Sequence, residues 1–225
     1  VKVGVVVFPG SNCDRDALHV VREVLGEQAV ALWHKDRDLQ GADALVIPGG
    51  FSFGDYLRTG AVARFSPIMD EVAAFIERGG PVLGICNGFQ ILLEAGVLPG
   101  AMLPNRSLRF ICRDVHVLPQ PRGGRFVAGL DPARPLRLPI AHYEGNWFAD
   151  DETFARVEGE GLVALRYCDE LGNVTDEANP NGSRGSVAGL TNARRNVLGL
   201  MPHPERVCES ILGGTDGLAI FKSLL

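Results

Sequence analysis

Pro81-Val82-Leu83-Gly84-Ile85-Cys86-Asn87-Gly88-Phe89-Gln90 decides the reading of this 225-residue chain. Pro81 to Leu83 has the composition of a short buried strand, and Phe89 to Leu93 opens a helical pattern. A cysteine therefore stands where a strand turns sharply into a helix, the cysteine counterpart of the G-x-S-x-G nucleophile elbow. Gly84 and Gly88 flank it because a chain reversing so tightly leaves no room for side chains there. The turn lifts the sulfur clear of the sheet, and the helix N-terminus favours negative charge beside it. A buried structural cysteine is the commoner fate of a free thiol, so the rest of the chain has to separate a packing role from a nucleophile.

Upstream of the elbow, strands and helices alternate. Val3 to Phe8 is a β-branched run with the composition of a central parallel strand. It ends at Pro9-Gly10-Ser11-Asn12, where Ser11 or Asn12 is placed to cap a helix with Asp14 and Asp16 in its first turn. Leu18, Val21, Val24 and Leu25 recur at helical spacing, and Gly26 stops them. Strands are expected over 30–33 and 43–48, the second closing on Gly49-Gly50. Gly49 to Gly60 contains four glycines and reads as a shaped loop over the sheet edge. Ser66-Pro67 opens another helix, with Ile68, Val72, Phe75 and Ile76 inward and Gly79-Gly80 at its end. Such alternation builds right-handed βαβ units on a parallel sheet, whose sites lie beyond the carboxyl ends of the strands. Gly49-Gly50 and Cys86 both fall at such ends.

Downstream of Gly100 the pattern changes. Residues 108–118 alternate, as in Phe110-Ile111-Cys112-Arg113, and predict an antiparallel strand. Residues 119–124 form a turn-rich loop. Further strands are expected over 136–141, 162–167, 186–190 and 197–201, and a short helix over 216–225. With no internal repeat or linker composition, residues 1–225 read as one α/β domain with an antiparallel extension.

Composition bounds the function. Hydrophobic residues make up 46% and charged residues 22%, a globular profile with enough length for a full core. The net charge of −5, with no basic block, speaks against nucleic acid or an anionic membrane. No apolar run is long enough to span a bilayer, and the start reads as a strand with no signal peptide ahead of it. Five cysteines, odd in number and without a C-x-x-C pair, suggest neither a disulfide framework nor a zinc site. A cytoplasmic setting is expected.

The second half of the constellation is Met201-Pro202-His203-Pro204-Glu205-Arg206, just after a strand. In extended chain, His203 and Glu205 point the same way, and the prolines stiffen the backbone between them. A carboxylate so placed holds an imidazole in one tautomer and stabilises its protonated form. Alone, His203 reads as a surface-loop histidine. With the elbow, Cys86, His203 and Glu205 make a nucleophile, its base and an orienter. An oxyanion hole then needs two donors: the N–H of Asn87, after the nucleophile, and that of Gly50 or Phe51. No G-x-x-x-x-G-K-[ST] occurs, so a phosphate cradle is not indicated. Of the other histidines, His19 reads as solvent-facing, and nothing marks His34 or His116. His142 has three open readings: substrate contact, a metal shared with Glu144, or a partner-facing role, the last preferred. Two ligands without a third argue against a metal.

The elbow with His203-Pro204-Glu205 resembles the class I (triad) glutamine amidotransferase family. More narrowly, four segments resemble the glutaminase subunits of phosphoribosylformylglycinamidine synthases. They are Phe8-Pro9-Gly10-Ser11-Asn12-Cys13-Asp14, the loop Pro48 to Arg58, Ala141-His142 with Glu144-Gly145-Asn146, and Asn179-Pro180-Asn181-Gly182-Ser183. The likeness runs from residue 3 to the end. It implies a flavodoxin-like fold, a mostly parallel sheet with helices on both faces and an antiparallel extension, and hydrolysis of glutamine to glutamate and ammonia. By position it implies Cys86 as nucleophile, His203 as base and Glu205 as orienter, with Gly50 and Asn87 serving the oxyanion. Gln90 would help hold glutamine, and Asn105, Ser107 and Phe110 would line its pocket. The implied partners are a large (PurL-type) subunit, which uses ATP and Mg to convert formylglycinamide ribonucleotide to the amidine, and a small accessory (PurS-type) subunit. No cofactor is implied in this chain. Rival readings are a glutaminase subunit for guanylate or cytidine triphosphate synthesis, a γ-glutamyl hydrolase, and a non-catalytic redox-sensing elbow protein of the same fold. The narrow loops argue against the first, and the His-Pro-Glu segment against the last.

Overall fold

The computed structural model describes residues 1–225. In chain order its strands are β1 (Lys2–Val7), β2 (Gln28–Trp33), β3 (Ala44–Ile47), β4 (Val82–Ile85), β5 (Ala101–Leu103), β6 (Ile111–Pro119), β7 (Leu136–His142), β8 (Asn146–Phe148), β9 (Val163–Cys168), β10 (Val187–Thr191) and β11 (Val197–Leu200). The helices are α1 (Asp14–His19), which widens into a π-helical turn over Val20–Val24, α2 (Pro67–Glu77), α3 (Asn87–Glu94), α4 (Asp151–Gly159) and α5 (Leu218–Lys222). Nine strands form one sheet in the order β2-β1-β3-β4-β11-β10-β9-β6-β7, while β5 and β8 pair separately. The first five are parallel, and β10, β9, β6 and β7 continue antiparallel. The expected α/β architecture with a parallel core and an antiparallel extension is therefore present.

The inner parallel strands β1, β3, β4 and β11 are buried on both faces, which is why their sequences are apolar runs rather than alternations, whereas the edge strand β2 alternates. Val5, Val46, Leu83 and Leu198 are all fully buried. Register fixes what happens at their ends. Ile47 pairs with Gly84, and Leu200 pairs with Ile85, so β3, β4 and β11 finish at one level. Gly49, Cys86 and His203 follow those ends directly.

The antiparallel half does something the pattern did not announce. β7 is the far edge strand of the sheet, yet Pro139 on it accepts a hydrogen bond from the His203 N–H at 2.8 Å. The sheet curls until its edge returns over the carboxyl ends of the parallel strands. No helix is long and apolar enough to cross a membrane, and all five cysteines are unpaired.

Several local expectations change. Neither Ser11 nor Asn12 caps α1; its N-cap is Cys13, without a side-chain bond. The Ser11 hydroxyl instead accepts from the Phe8 N–H at 3.2 Å and closes the preceding turn. His34 is marked after all: it is buried, its Nδ1 is 3.1 Å from the Ser66 hydroxyl, and Phe8, Trp33 and Phe53 surround its ring. His19 pairs with Glu209 at 2.8 Å. The strand expected from 108 starts at Ile111, because Leu108 has φ +52 and breaks the extended run. Helix α4 and the β5–β8 pair were not expected. The signal for α4 was present, since Asp150 caps it by accepting from the Thr153 N–H at 2.8 Å, ahead of Asp151 and Glu152.

Candidate active site

The elbow is held by packing rather than by its own preference. Cys86 has φ +50 and ψ −104, a conformation costly for a non-glycine residue. Its N–H donates to the Leu200 carbonyl at 2.7 Å, and its own carbonyl accepts from the Gln90 N–H at 3.1 Å. A Cβ added to Gly88 would lie 1.9 Å from the Ile47 carbonyl oxygen, and one on Gly84 would lie 2.4 Å from Leu92 Cδ1. Those two glycines let α3 settle onto the sheet and fix the bend. Cys86 lines a cavity of about 150 Å³, with Gly50, Asp55, Thr59, Gln90 and residues 141–144 around it. Its Sγ lies 3.8 Å from the Ala141 carbonyl, on the returning edge strand.

His203 and Glu205 are buried together, with Nδ1 2.5 Å from Oε1. The His203 Nε2 is buried without a partner. Burial pushes the imidazole pKa down, but the negative charges of Glu205 and Cys86 outweigh it and hold the pKa well above the ordinary histidine value. The side chains therefore suit an imidazolium clamped on Nδ1 by a carboxylate, with Nε2 left unpaired.

A second cysteine approaches the same ring. Cys13 Sγ lies 3.9 Å from His203 Nδ1, and ligand atoms of Cys13, His203 and Glu205 fall within 4.8 Å of one another. That grouping is neither a better triad nor a good metal cradle. Nδ1 is already taken by Glu205, Cys13 does not line the cavity, and the Arg206 guanidinium sits on the Cys13 sulfur at 3.1 Å. A metal ion there would face a fixed cation.

Of the two N–H groups expected to offer a second oxyanion donor, one is already bonded. The Phe51 N–H donates to the Gly10 carbonyl at 3.0 Å, whereas the Gly50 N–H makes no hydrogen bond within the chain. Gly50 has φ +144, and a Cβ there would lie 2.8 Å from the Asn12 nitrogen, so only glycine fits. Asn87 begins α3, and its N–H has no carbonyl one turn back to bond.

The family profile described as "CobB/CobQ-like glutamine amidotransferase domain" matches residues 1–213. The chain belongs to this family. It is 54% identical over 224 residues to "Phosphoribosylformylglycinamidine synthase subunit PurQ" of Salinibacter ruber, covering 100% of this chain and 95% of that one. It is 55% identical over 224 residues to the protein of the same description in Rubrobacter xylanophilus, covering 100% and 97%. Among solved structures, "Structure of PurLQS from Thermotoga maritima" contains a chain with TM-score 0.86 and 42% identity, covering 99% of this chain and 96% of that one. The fold is that of the class I glutamine amidotransferases. A glutamine amidotransferase from Thermotoga maritima, at TM-score 0.55 and 15% identity over 91% of this chain and 76% of that one, shares the fold alone.

Around the amidotransferase cavity, the remaining expectations divide. Gln90 lines it, with its carboxamide braced between Asn87 Nδ2 at 3.0 Å and the Glu144 carbonyl at 2.6 Å. Asn87 Oδ1 in turn accepts from the Ser52 N–H at 3.1 Å, tying the glycine-rich loop to the elbow. Asn105 is not a lining residue. It is fully buried behind the wall, donating to the Arg109 and His142 carbonyls and accepting from the Gly145 N–H. Ser107 and Phe110 are exposed and lie outside the lining. His142 does not face a partner. It is 3% exposed and lines the cavity, and its pKa is pushed down to about 4 by burial and then by the nearby His203 charge. Asp55 and Thr59 were not singled out as site residues within their loop, yet both reach the cavity, where the Thr59 hydroxyl donates to Glu144 at 2.8 Å.

Proposed function

We propose that this chain is the glutaminase subunit of a phosphoribosylformylglycinamidine synthase. It hydrolyses glutamine and passes the ammonia to a large (PurL-type) subunit, which uses ATP and Mg to convert formylglycinamide ribonucleotide to formylglycinamidine ribonucleotide. A small (PurS-type) subunit completes the complex, residues 1–225 act as a single glutaminase domain, and the complex works in the cytoplasm, where five unpaired cysteines stay reduced. The observation that carries the reading is an imidazole clamped by a buried carboxylate on Nδ1, open on Nε2, beside an elbow cysteine that opens into a cavity.

The chemistry follows from those positions. The Cys86 thiolate attacks the side-chain amide carbon of glutamine, and the carbonyl oxygen takes the negative charge toward the N–H groups of Gly50 and Asn87. His203 gives its proton to the departing nitrogen, which leaves as ammonia. A thioester remains. His203 then takes a proton from water, the hydroxide adds to the thioester carbon, and collapse releases glutamate and restores the thiolate. Glu205 keeps the imidazole in the productive tautomer throughout. Ammonia protonated by bulk water is no nucleophile, so the acceptor reaction gains from taking it directly from the cavity.

The test is glutamate release together with amidine formation in the assembled complex. Cys86→Ser should stop both when glutamine is the nitrogen source, while an ammonium salt at high pH should still drive amidine formation. Glutamine-dependent turnover surviving in Cys86→Ser, or no rescue by ammonium, would overturn the reading.

A further inference from the structure

We infer that Asp55 and Glu144 are a specificity pair that binds the α-ammonium group of glutamine beside Cys86. The inference rests on the glutaminase reading above and adds the residues that choose the substrate.

The cavity lining contains two carboxylates and no lysine or arginine. Asp55 Oδ1 is buried with no hydrogen-bond partner, and the only side-chain partner of Glu144 is the Thr59 hydroxyl. A third acceptor stands in the same lining. His142 is 3% exposed and its Nε2 has no partner. Its tautomer is set from behind. Asn105 spends its amide N–H groups on two carbonyls, so its Oδ1, 3.0 Å from His142 Nδ1, must accept. Nδ1 therefore carries the proton, and Nε2 presents a lone pair. Unpaired buried acceptors are costly. Two of them, Asp55 Oδ1 and His142 Nε2, beside the Glu144 carboxylate that only Thr59 engages, call for a ligand group rich in N–H, with positive charge to offset the two carboxylates.

The two carboxylates repel each other. Asp55 has its pKa pushed up to about 6, first by burial and then by the Glu144 charge. A cation between the two relieves both causes. The loop that delivers Asp55 is held in a strained form: Phe53, Asp55 and Leu57 all have positive φ between +55 and +71. It is fastened at one end by Ser52 on Asn87 and at the other by Arg58 on Glu94, with two contacts at 2.6 and 2.7 Å. Arg58 is thereby spent on Glu94 and lies outside the lining. Backbone strain kept by such anchoring is common where a loop must present a ligand-binding group. Of the groups on glutamine, only the α-ammonium combines several N–H donors with positive charge, and an analogue lacking it gains nothing from this wall.

The experiment compares glutamine with glutaramate, which is glutamine without its α-amino group, using glutamate or glutarate release by the assembled complex. In Glu144→Gln and in Asp55→Asn, kcat/KM for glutamine should fall roughly 10- to 100-fold, mainly through KM, as expected for losing a charged contact. The value for glutaramate should change less than about 3-fold by the same argument. Alkylation of Cys86 by iodoacetamide reports whether the elbow is intact, and alkylation by a diazoketone analogue of glutamine that keeps the α-ammonium should slow in the variants. Equal losses on both substrates, or an unchanged preference for glutamine, would overturn the inference. If either variant fails to fold, Glu144→Asp decides: partial retention of the preference supports the pair, and full retention with normal KM overturns it. A wild-type complex that releases no glutamate would remove the glutaminase reading as well, whereas normal wild-type turnover with unshifted variants removes this inference alone.

Discussion

Two regions meet at the cavity and contribute different things. The carboxyl ends of β3, β4 and β11 bring Gly50, Cys86, His203 and Glu205, the groups proposed above to carry the chemistry. The glycine-rich loop and the end of β7 bring Asp55, Thr59, His142 and Glu144, the polar wall inferred above to receive the α-ammonium group. The first set is aligned by strand register and the second by curvature and loop anchoring. The proposed reactive groups therefore depend on local backbone geometry, and the proposed recognition wall depends on contacts between segments distant in the chain.

The comparison is broken most directly at the thiol. Cys86→Ser should lower glutamate release by about 10⁴-fold or more, the scale seen when a triad nucleophile is removed. Cys13→Ser should cost less than about 10-fold, since its sulfur faces the nitrogen already held by Glu205. Comparable losses for the two would mean that the two sides of His203 have been assigned the wrong way round.

The next effect separates base from orienter. His203→Ala should approach the loss of Cys86→Ser, while Glu205→Gln should be about 10- to 100-fold milder, because an orienter biases a tautomer and a base is needed in each step. Single-turnover glutamate release reads this without interference from product release. An equal loss for Glu205→Gln, with circular dichroism unchanged, would give the carboxylate a direct part in proton transfer.

The recognition wall should show itself in stability. His142 has a folded pKa of about 4 against an ordinary value of 6.5. Its folded value is the lower one, so the unfolded chain binds the extra proton. Stability is then full above pH 6.5 and is lost as pH falls toward 4, by up to about 3 kcal/mol. Urea unfolding across that range should lose this component of its slope in His142→Gln.

Asp55 has the opposite sign and a smaller size. Its folded pKa of about 6 lies above the ordinary 3.8, so the folded chain holds the proton longer and stability falls as pH rises from 3.8 to 6. The group is only half-buried, and solvent screening reduces the cost to about 1 kcal/mol. Asp55→Asn should raise Tm by about 2–4 °C above pH 6 and leave it unchanged below pH 4. A variant that gains stability and loses substrate preference would mark Asp55 as a site where function opposes folding; lower stability at pH 7.5 would contradict the cost assigned to the buried carboxylate.

The legibility of the sequence follows the same division. Gly84-Ile85-Cys86-Asn87-Gly88 declares its bend because only glycine fits against Ile47 and Leu92, and that requirement is written in adjacent residues. His203-Pro204-Glu205 declares its pairing by closeness in sequence, although Pro204–Arg206 forms a 3-10 turn rather than the expected extended chain. Ser11 misled as a helix cap because its hydroxyl had an equally good use one turn earlier, on the Phe8 N–H. Asn105 was recognisable as a buried polar residue near the site only through its four bonds across the His142–Gly145 segment and to Arg109. His142 looked partner-facing because nothing local says that an edge strand will be folded inward.

By itself the sequence determined most of the order of strands and helices, the elbow, the adjacency of His203 and Glu205 and the family likeness, because each is encoded in spacings of a few residues and in apolar runs that must be buried. The tertiary structure alone decided that Gly50 rather than Phe51 keeps a free N–H, that Cys13 stands on the occupied side of His203, and that His142, Glu144 and Asp55 share one cavity with Cys86. Those outcomes depend on which donors and acceptors are left over once the sheet has curled and the loops have been anchored. That remainder is set by every long-range pairing together, and no local window of the chain contains it.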